Sequence, residues 1–177
     1  MLFLSSKDNI VFFFDEGRFG LQPTLGHCWS LRGLKKTVKI KPGYKNFYLY
    51  TSVSPNIGEH FTLFLPWTNT KIMNLYLKKL HKAFPTKKIF MIMDQAGWHK
   101  SKDLCKPKNI RFIYLPPYSP ELNPVEKLWA WLRKHVCRNR LFESLNHLMD
   151  EIESALNKLL KTDYAKLCNC NYLLHYK

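Results

Sequence analysis

Buried β-strands are predicted by three short apolar runs, at residues 10–14, Lys88–Met93 and 110–115. Continuous runs of this length, rich in β-branched and aromatic side chains, are typical of strands covered on both faces of a sheet. Asp15 directly follows the first run, and Asp94 directly follows the second. Taken singly, Asp15 also suits a strand-end turn and Asp94 a loop cap, so their meaning depends on the rest of the chain.

Weaker strand patterns lie between the first two runs. Residues 37–41 alternate between apolar and polar side chains, residues 47–53 form a second candidate, and Pro42-Gly43 predicts a turn between them. Such a turn joins antiparallel neighbours, so we expect a hairpin at this point. Residues 61–65 either extend this sheet or pair at its edge.

Amphipathic helices are predicted where apolar residues recur every three or four positions. One helix begins near Thr68 and ends before Pro85, and its lysines lie mostly on the opposite, solvated face. Another spans about residues 144–160. Ser101 is placed to cap a further short helix that runs through Leu104.

Residues 115–129 combine a stiff loop with a helix start. Its early prolines exclude both a strand ladder and a helix. They are Pro116, Pro117 and Pro120. Asn123 is a good N-cap and Pro124 is tolerated at the first helical position, so Glu126 is predicted in the first helical turn. Asn123 and Glu126 also match a capping box, which is a purely structural alternative for Glu126.

The order of these elements, β-β-β-α-β-α-β-α-α, predicts an α/β fold. We expect a mixed five-stranded sheet of three antiparallel strands followed by alternating parallel strands and helices, flanked by helices. The 177 residues, 46% hydrophobic and 23% charged, suit a single globular domain over residues 1–177. No apolar run is long enough to span a bilayer, and the N-terminus lacks a signal-peptide pattern.

The charge balance is strongly basic, with 28 Lys and Arg against 13 Asp and Glu, a net charge of +15. The excess is spread along the whole chain, which predicts a polyanionic partner, most simply nucleic acid. A basic solvated surface without a partner is the alternative. The 5 cysteines are an odd number at irregular spacing and indicate reduced thiols in a cytosolic protein. Cys168 and Cys170 lack the second pair that a zinc site needs.

Three blocks of the chain resemble the catalytic blocks of DDE transposases, within the bacterial insertion-sequence branch of the mariner superfamily. They are residues 14–20, 93–99 and 115–129. The last contains the run Pro-Pro-Tyr-Ser-Pro-Glu-Leu-Asn-Pro and is the most specific. Gln95 departs from the family, which usually has Asn there, but both side chains are neutral amides. The resemblance extends from about Val11 to the end of the chain.

This resemblance implies a ribonuclease H-like fold and identifies Asp15, Asp94 and Glu126 as the catalytic carboxylates. In that fold the first and fourth strands are parallel neighbours, about 4.8 Å apart, so the two aspartates would be close enough to share a metal ion. The family uses two Mg²⁺ ions, for which Mn²⁺ can substitute, and Mg²⁺ prefers oxygen ligands. Asp15 is expected to bridge both ions, Asp94 to hold one and Glu126 the other.

The implied function is metal-dependent DNA cleavage and strand transfer at the ends of an insertion sequence. Water releases a 3′-hydroxyl at the element end, and this hydroxyl attacks target DNA. The expected partners are the element ends, the target DNA and a second copy of the chain, in the cytoplasm at the bacterial nucleoid. A non-catalytic DNA-binding remnant or regulator, and another ribonuclease H-like nuclease, remain alternatives.

Relatives of this kind carry a helix-turn-helix module before the first catalytic strand, and this chain has no room for one. The expectation is a split reading frame with an upstream DNA-binding segment, or a truncated copy. Within the chain we expect Glu16 to be a surface acid beside Asp15, and His99 to contact DNA or to have a hydrogen-bonded structural role. The candidate DNA contacts are Arg18, His99, Lys100, Tyr118, Ser119, Lys127, Trp131, Arg133 and Lys134.

Overall fold

A single mixed sheet organises the computed structural model, which describes residues 8–22, 24–27, 29–33 and 45–170. Its five strands are arranged in the order β3-β2-β1-β4-β5. They are β1 (Asn9–Gly20), β2 (Asn46–Val53), β3 (His60–Leu65), β4 (Lys88–Met93) and β5 (Ile110–Tyr114). β1, β2 and β3 pair antiparallel, whereas β4 runs parallel to both β1 and β5. The predicted mixed α/β sheet is confirmed.

Two strand predictions need comment. The strand predicted at residues 37–41 and its turn at Pro42-Gly43 lie outside the described residues. Residues 61–65, for which an edge position was one alternative, form most of β3, and this strand pairs with β2 at the sheet edge.

β1 is longer than predicted, because it continues through Asp15 to Gly20. Its first part pairs with β4 as far as Phe13 opposite Ile92, and its second part pairs with β2. The expectation that the strand breaks after Phe14 is wrong, since β2 supplies hydrogen-bonding partners where β4 no longer does. Two residues beyond the Phe13–Ile92 pair, the same register aligns Asp15 with Asp94.

In the described part of the chain, four α-helices flank the sheet. They are α1 (Thr70–Ala83), α2 (Val125–Leu132), α3 (Leu145–Lys158) and α4 (Lys161–Leu167). The predictions for α1, α2 and α3 are confirmed within a few residues, and α4 was not predicted. α2 continues as a π-helical turn, Arg133–Cys137. Among the described residues, no helix has both the length and the apolar character needed to cross a membrane.

The short helix predicted from Ser101 does not form. The chain makes an isolated turn there, closed by the Leu104 N–H donating to the Ser101 carbonyl. The next amide, that of Cys105, donates to the Asn74 side chain on α1, which prevents a second turn. A 3-10 helix, Gly97–His99, forms earlier in the loop instead.

The core consists of two apolar layers, one on each face of the sheet. Phe12 and Phe14 of β1 pack in the layer that contains α1, whereas Phe13 packs in the layer that contains α2 and α3. Successive strand residues point to opposite faces. The same alternation sends Asp15 toward the α2 layer and Glu16 toward the α1 layer, which decides the partners of both acids.

Candidate active site

A cleft opens where β1 diverges from β4, with a volume of about 490 Å³. Asp15 from β1, Asp94 from the loop after β4, and Glu126 from α2 all line it. The remaining wall is largely the proline-rich loop, residues 115–120. Ligands in open sheets gather at the carboxyl ends of strands, where β4 and β5 end here. The structure therefore brings the three predicted carboxylates into one cleft.

Asp15 is half-buried inside the sheet and is held by a tryptophan. The Trp129 Nε1–H donates to Asp15 Oδ2 over 2.8 Å. Burial raises the pKa of Asp15 to about 7; the Trp129 hydrogen bond opposes this rise, and the charges of Glu16 and Glu126 add to it. Gly17 permits this contact, because a Cβ atom there would lie 2.8 Å from the Trp129 ring. The surroundings of Asp15 thus disfavour its charged form.

Asp94 has the opposite surroundings, since 59% of its side chain is exposed. Its Oδ1 atom accepts hydrogen bonds from the His99 ring at 2.8 Å and from the Ala96 N–H at 3.1 Å. The His99 hydrogen bond is the largest cause that lowers the pKa of Asp94. This carboxylate is therefore ionised and oriented before any ligand arrives.

Behind Asp94 lies a buried polar group made of His99, Glu16 and Trp98. The His99 side chain is 1% exposed, and its Nε2 atom lies 2.9 Å from Glu16 Oε1. Trp98 Nε1–H donates to the same Glu16 oxygen over 3.0 Å. Burial lowers the pKa of His99, but the hydrogen bonds to Asp94 and Glu16 outweigh it and raise the pKa to about 9.

Two expectations change as a result. Glu16 is not a surface acid, because its side chain is 6% exposed and points into the α1 layer with Phe14. His99 has both ring nitrogens in contact with carboxylates and almost no exposed surface, which favours its hydrogen-bonded role over a contact with DNA.

Glu126 lies in the first turn of α2, as predicted, and is exposed. The capping-box alternative is wrong, because the Asn123 N–H donates to the Pro120 carbonyl at 2.9 Å instead. The Asn123 side chain accepts from the Val125 N–H at 3.2 Å and donates to the Phe14 carbonyl at 2.9 Å. Asn123 thereby ties the start of α2 to the strand residue before Asp15, which places Glu126 in the cleft.

Residues 10–149 match the family model described as DDE superfamily endonuclease. The chain belongs to this family. A DDE relative from Sinorhizobium fredii (strain NBRC 101917 / NGR234), named uncharacterized protein y4pE/y4sA, is 36% identical over 114 residues, which cover 64% of this chain and 84% of the relative. The insertion element IS630 uncharacterized 39 kDa protein of Shigella sonnei is 31% identical over 156 residues, covering 83% of this chain and 44% of the relative.

The fold of the DDE chain also matches solved transposase structures. The Mos1 strand transfer complex superposes with a TM-score of 0.70 at 17% identity, covering 89% of this chain and 50% of that one. The Mos1 mariner paired end complex with Mn gives 0.69 at 17% identity, covering 89% and 51%. This chain therefore spans about half the length of the Shigella relative and of the Mos1 chains. The ribonuclease H-like fold and the resemblance to a DDE transposase catalytic domain are confirmed.

Some of the predicted DNA contacts of this DDE domain surround the cleft. Lys100, Tyr118 and Ser119 line it. Tyr118 is fully exposed and has a φ of 56°, so the rigid loop presents its ring to solvent. The Lys100 ammonium contacts Gln95 Oε1, and Gln95 Nε2–H donates to the Leu115 carbonyl at 2.8 Å. Gln95 therefore joins the Asp94 loop to the proline-rich loop.

The other candidates lie outside the cleft. Arg18 and Arg133 line a separate depression beside the far end of β1, and the Arg133 guanidinium lies 5.5 Å from the Phe19 ring centroid. Trp131 is half-buried and its ring stacks on His135 at 4.8 Å. Lys134 is exposed on the π-helical turn, and the Lys127 ammonium contacts the Asn169 carbonyl. None of these residues lines the cleft.

The chemistry of the carboxylates fits a hard divalent cation. Asp15, Asp94 and Glu126 offer only oxygen ligands, and Mg²⁺ binds such sites with several waters and substrate phosphate completing its shell. Within the part of the chain that the structure describes, no three Asp, Glu, His or Cys side chains already stand close enough to enclose an ion. The donor set therefore suits ions that keep much of their shell for water and substrate.

Sequence analysis did not place Trp129, Glu16 or Asn123 at the site; it took Glu16 for a surface acid and Asn123 for a helix N-cap. A signal existed for Trp129, because a buried indole N–H normally finds an acceptor. For Glu16 the signal was its position, since the residue after Asp15 in a continuing strand must point to the opposite face. No comparable pattern marks the Asn123 bond to Phe14, which joins residues 109 positions apart.

Proposed function

We propose that this DDE domain cleaves phosphodiester bonds at the ends of an insertion sequence and joins the freed 3′-hydroxyl to target DNA. The observation that carries the proposal is the meeting of Asp15, Asp94 and Glu126 in one cleft. The register of the parallel strands β1 and β4, continued past Phe13 and Ile92, aligns Asp15 with Asp94. The family membership supports the reaction class, and the name of the Shigella relative associates that protein with an insertion element.

We further propose that the three carboxylates hold two Mg²⁺ ions, with Mn²⁺ as a substitute. Asp15 would be the shared ligand, Asp94 would hold one ion and Glu126 the other. When bound, paired divalent ions supply Lewis-acid activation of the attacking and leaving oxygens. Support comes from the raised pKa of Asp15, which burial and two nearby acids impose, because a cation relieves that repulsion.

DNA is the proposed partner, bound along the basic surface and across the cleft. The net charge of +15 favours binding to phosphates, and Lys100, Tyr118 and Ser119 stand at the rim of the cleft. The Mos1 structures include a paired-end complex with the left transposon end, which describes that protein's partner. By analogy we propose that two copies of this chain act together on paired element ends, at the bacterial nucleoid.

The experiment that tests this function replaces Glu126 by Gln. Since the capping box does not form, the substitution removes a charge from the cleft without removing a helix cap. We expect Glu126→Gln to keep the melting temperature of the wild type and to lose Mg²⁺-dependent cleavage and strand transfer. The assay uses labelled duplexes that carry candidate element ends.

Lys134→Gln is the matched control, because Lys134 is an exposed charge on the π-helical turn, outside the cleft. It should weaken DNA binding slightly and leave cleavage of bound DNA intact. Wild-type protein that binds these duplexes but cuts none of them, with either Mg²⁺ or Mn²⁺, would contradict the proposal and favour a non-catalytic regulator.

A further inference from the structure

We propose that Glu16 and His99 form a positioning pair, here called the anchor, which fixes the Asp94 carboxylate so that its Oδ2 atom is free to bind metal. This inference rests on the proposed function and adds two residues to its machinery. Neither residue touches the substrate or the metal. Each acts through Asp94.

The first argument is the geometry at Asp94. Both of its donors, the His99 ring and the Ala96 N–H, use the same oxygen, Oδ1. Within the described residues, Oδ2 has no hydrogen-bond donor from the protein. One oxygen is therefore held from behind while the other remains for a ligand in the cleft that Asp94 lines. A metal-binding group is commonly oriented in this way by partners behind it.

The second argument is the chemistry of the imidazole. Carboxylate oxygens accept hydrogen bonds from imidazole N–H groups. The His99 ring has one such oxygen at each nitrogen, Asp94 at 2.8 Å and Glu16 at 2.9 Å. Glu16 thus fixes the orientation of the ring whose other nitrogen contacts Asp94. The Trp98 indole donates to the same Glu16 oxygen and fixes it in turn.

The third argument is rigidity. The His99 backbone is held at both polar groups: its N–H donates to the Ala96 carbonyl at 2.9 Å, and its carbonyl accepts from the Tyr114 hydroxyl at 2.8 Å. The ring packs edge-on against Phe14, with centroids 5.6 Å apart. Asp94 follows the end of β4 and is otherwise exposed. The buried anchor therefore holds the Asp94 side chain in place beyond the end of the strand.

The alternation of β1 explains why Glu16 is not itself a ligand of the proposed ions. Asp15 and Glu16 are neighbours in a continuous strand, so they point to opposite faces of the sheet. One acid faces the cleft and the other faces the α1 layer. Glu16 therefore acts on the cleft only through His99, which holds Asp94.

The test compares two isosteres of His99 by their Mn²⁺ affinity, measured by electron paramagnetic resonance. His99→Asn places an amide N–H near the position of Nδ1 and keeps the donor to Asp94. His99→Gln places it near the position of Nε2, which keeps the contact with Glu16 and loses Asp94. We expect His99→Gln to bind Mn²⁺ roughly 10–100-fold more weakly than the wild type, as for other residues that orient metal ligands. His99→Asn should retain most of the affinity.

Glu16→Gln gives a second, milder variant, because Gln keeps an acceptor for the ring but lacks the charge. Its Mn²⁺ affinity should fall between those of the wild type and His99→Gln. Tyr164→Phe is the stability control: it removes a buried hydrogen bond to the Leu156 carbonyl, within the core layer of α3 and α4. That variant should lower the melting temperature and leave Mn²⁺ affinity unchanged.

The outcomes separate the anchor from the proposed function. If the wild type binds Mn²⁺ in a way that Asp94→Asn abolishes, but both His99 variants bind equally well, the anchor is overturned and the metal site stands. If the loss of Mn²⁺ affinity in His99→Gln only follows its loss of melting temperature, and Tyr164→Phe shows the same relation, the anchor is overturned and the role of His99 is purely structural. If the wild type shows no binding that depends on Asp94, the metal site fails and the anchor fails with it.

Discussion

The two aspartates of the cleft are aligned side by side, Asp15 within β1 and Asp94 just after β4, but their environments are opposite. Asp15 lies inside a strand that continues for five more residues to Gly20, is half-buried, and has a pKa raised to about 7 by burial. Asp94 lies just beyond the end of β4, is mostly exposed, and has a pKa lowered by its hydrogen bond to His99. The backbone N–H groups of a strand are engaged in hydrogen bonds of the sheet, so few of them are available to a carboxylate. A loop can place its N–H groups around a carboxylate.

This difference suggests a division of roles within the site. Asp94 is already charged and oriented by its hydrogen bonds to His99 and Ala96, so it is suited to capture a cation first. Asp15 acquires its full charge at neutral pH only when a cation offsets its burial and the charges of Glu16 and Glu126. Binding of the proposed ions and ionisation of Asp15 are therefore coupled.

The largest effects are expected when each aspartate is replaced by Asn. Bound metal ions stabilise the transition state of such reactions by several kcal/mol, so either variant should lose at least about a thousandfold in cleavage rate. Stability should separate the two variants. Asp15→Asn removes a carboxylate that burial disfavours, whereas Asp94→Asn removes the charged acceptor of His99. We expect the first to raise the melting temperature at pH 8 without metal, and the second to lower it.

The raised pKa of Asp15 also predicts how the stability of the protein changes with pH. Because the folded pKa of Asp15 is about 7 and its ordinary value is 3.8, wild-type stability should fall as pH rises between these values. Asp15→Asn should flatten that fall. The lowered pKa of Asp94 acts oppositely: its contribution is present above the ordinary pKa and is lost as acid protonates the folded carboxylate. Melting temperatures measured from pH 3 to 8 test this expectation. If they change with pH equally in the wild type and in Asp15→Asn, the proposed difference between the two aspartates is wrong.

A smaller effect is expected from the tryptophan that holds Asp15. Trp129→Phe removes the indole N–H and should reduce the free energy of unfolding by about 1–3 kcal/mol, the range for a hydrogen bond to a charged group or an unsatisfied buried group. It should also raise the pKa of Asp15 further and weaken Mn²⁺ binding. Trp131→Phe, on the same helix and stacked on His135, is the control and should leave Mn²⁺ binding unchanged. Calorimetric titration of both variants with Mn²⁺ makes the measurement.

The smallest effect is expected at Gln95, on the Asp94 side. Gln95→Asn restores the residue usual in the family but shortens the side chain that donates to the Leu115 carbonyl. Losing one such hydrogen bond costs about 0.5–1.5 kcal/mol. We expect a slightly lower melting temperature and cleavage within a few-fold of wild type. A large loss of cleavage would show that the link between the two loops, rather than the anchor behind Asp94, controls this side of the cleft.

The amino-acid sequence by itself determined most of the strand runs, the proline-rich loop and the positions of the three acids at strand ends and at a helix start, because apolar periodicity and proline chemistry are local properties. The catalytic role expected of these acids came from the family resemblance. It also indicated the order of parallel and antiparallel strands and the basic partner surface. Tertiary structure decided the rest. β1 runs on past Asp15 because β2 pairs with it, and that continuation turns Glu16 away from the cleft and toward His99. The Trp129 bond to Asp15 and the Asn123 bond to Phe14 join distant segments, and such contacts exist only once the sheet has brought those segments together.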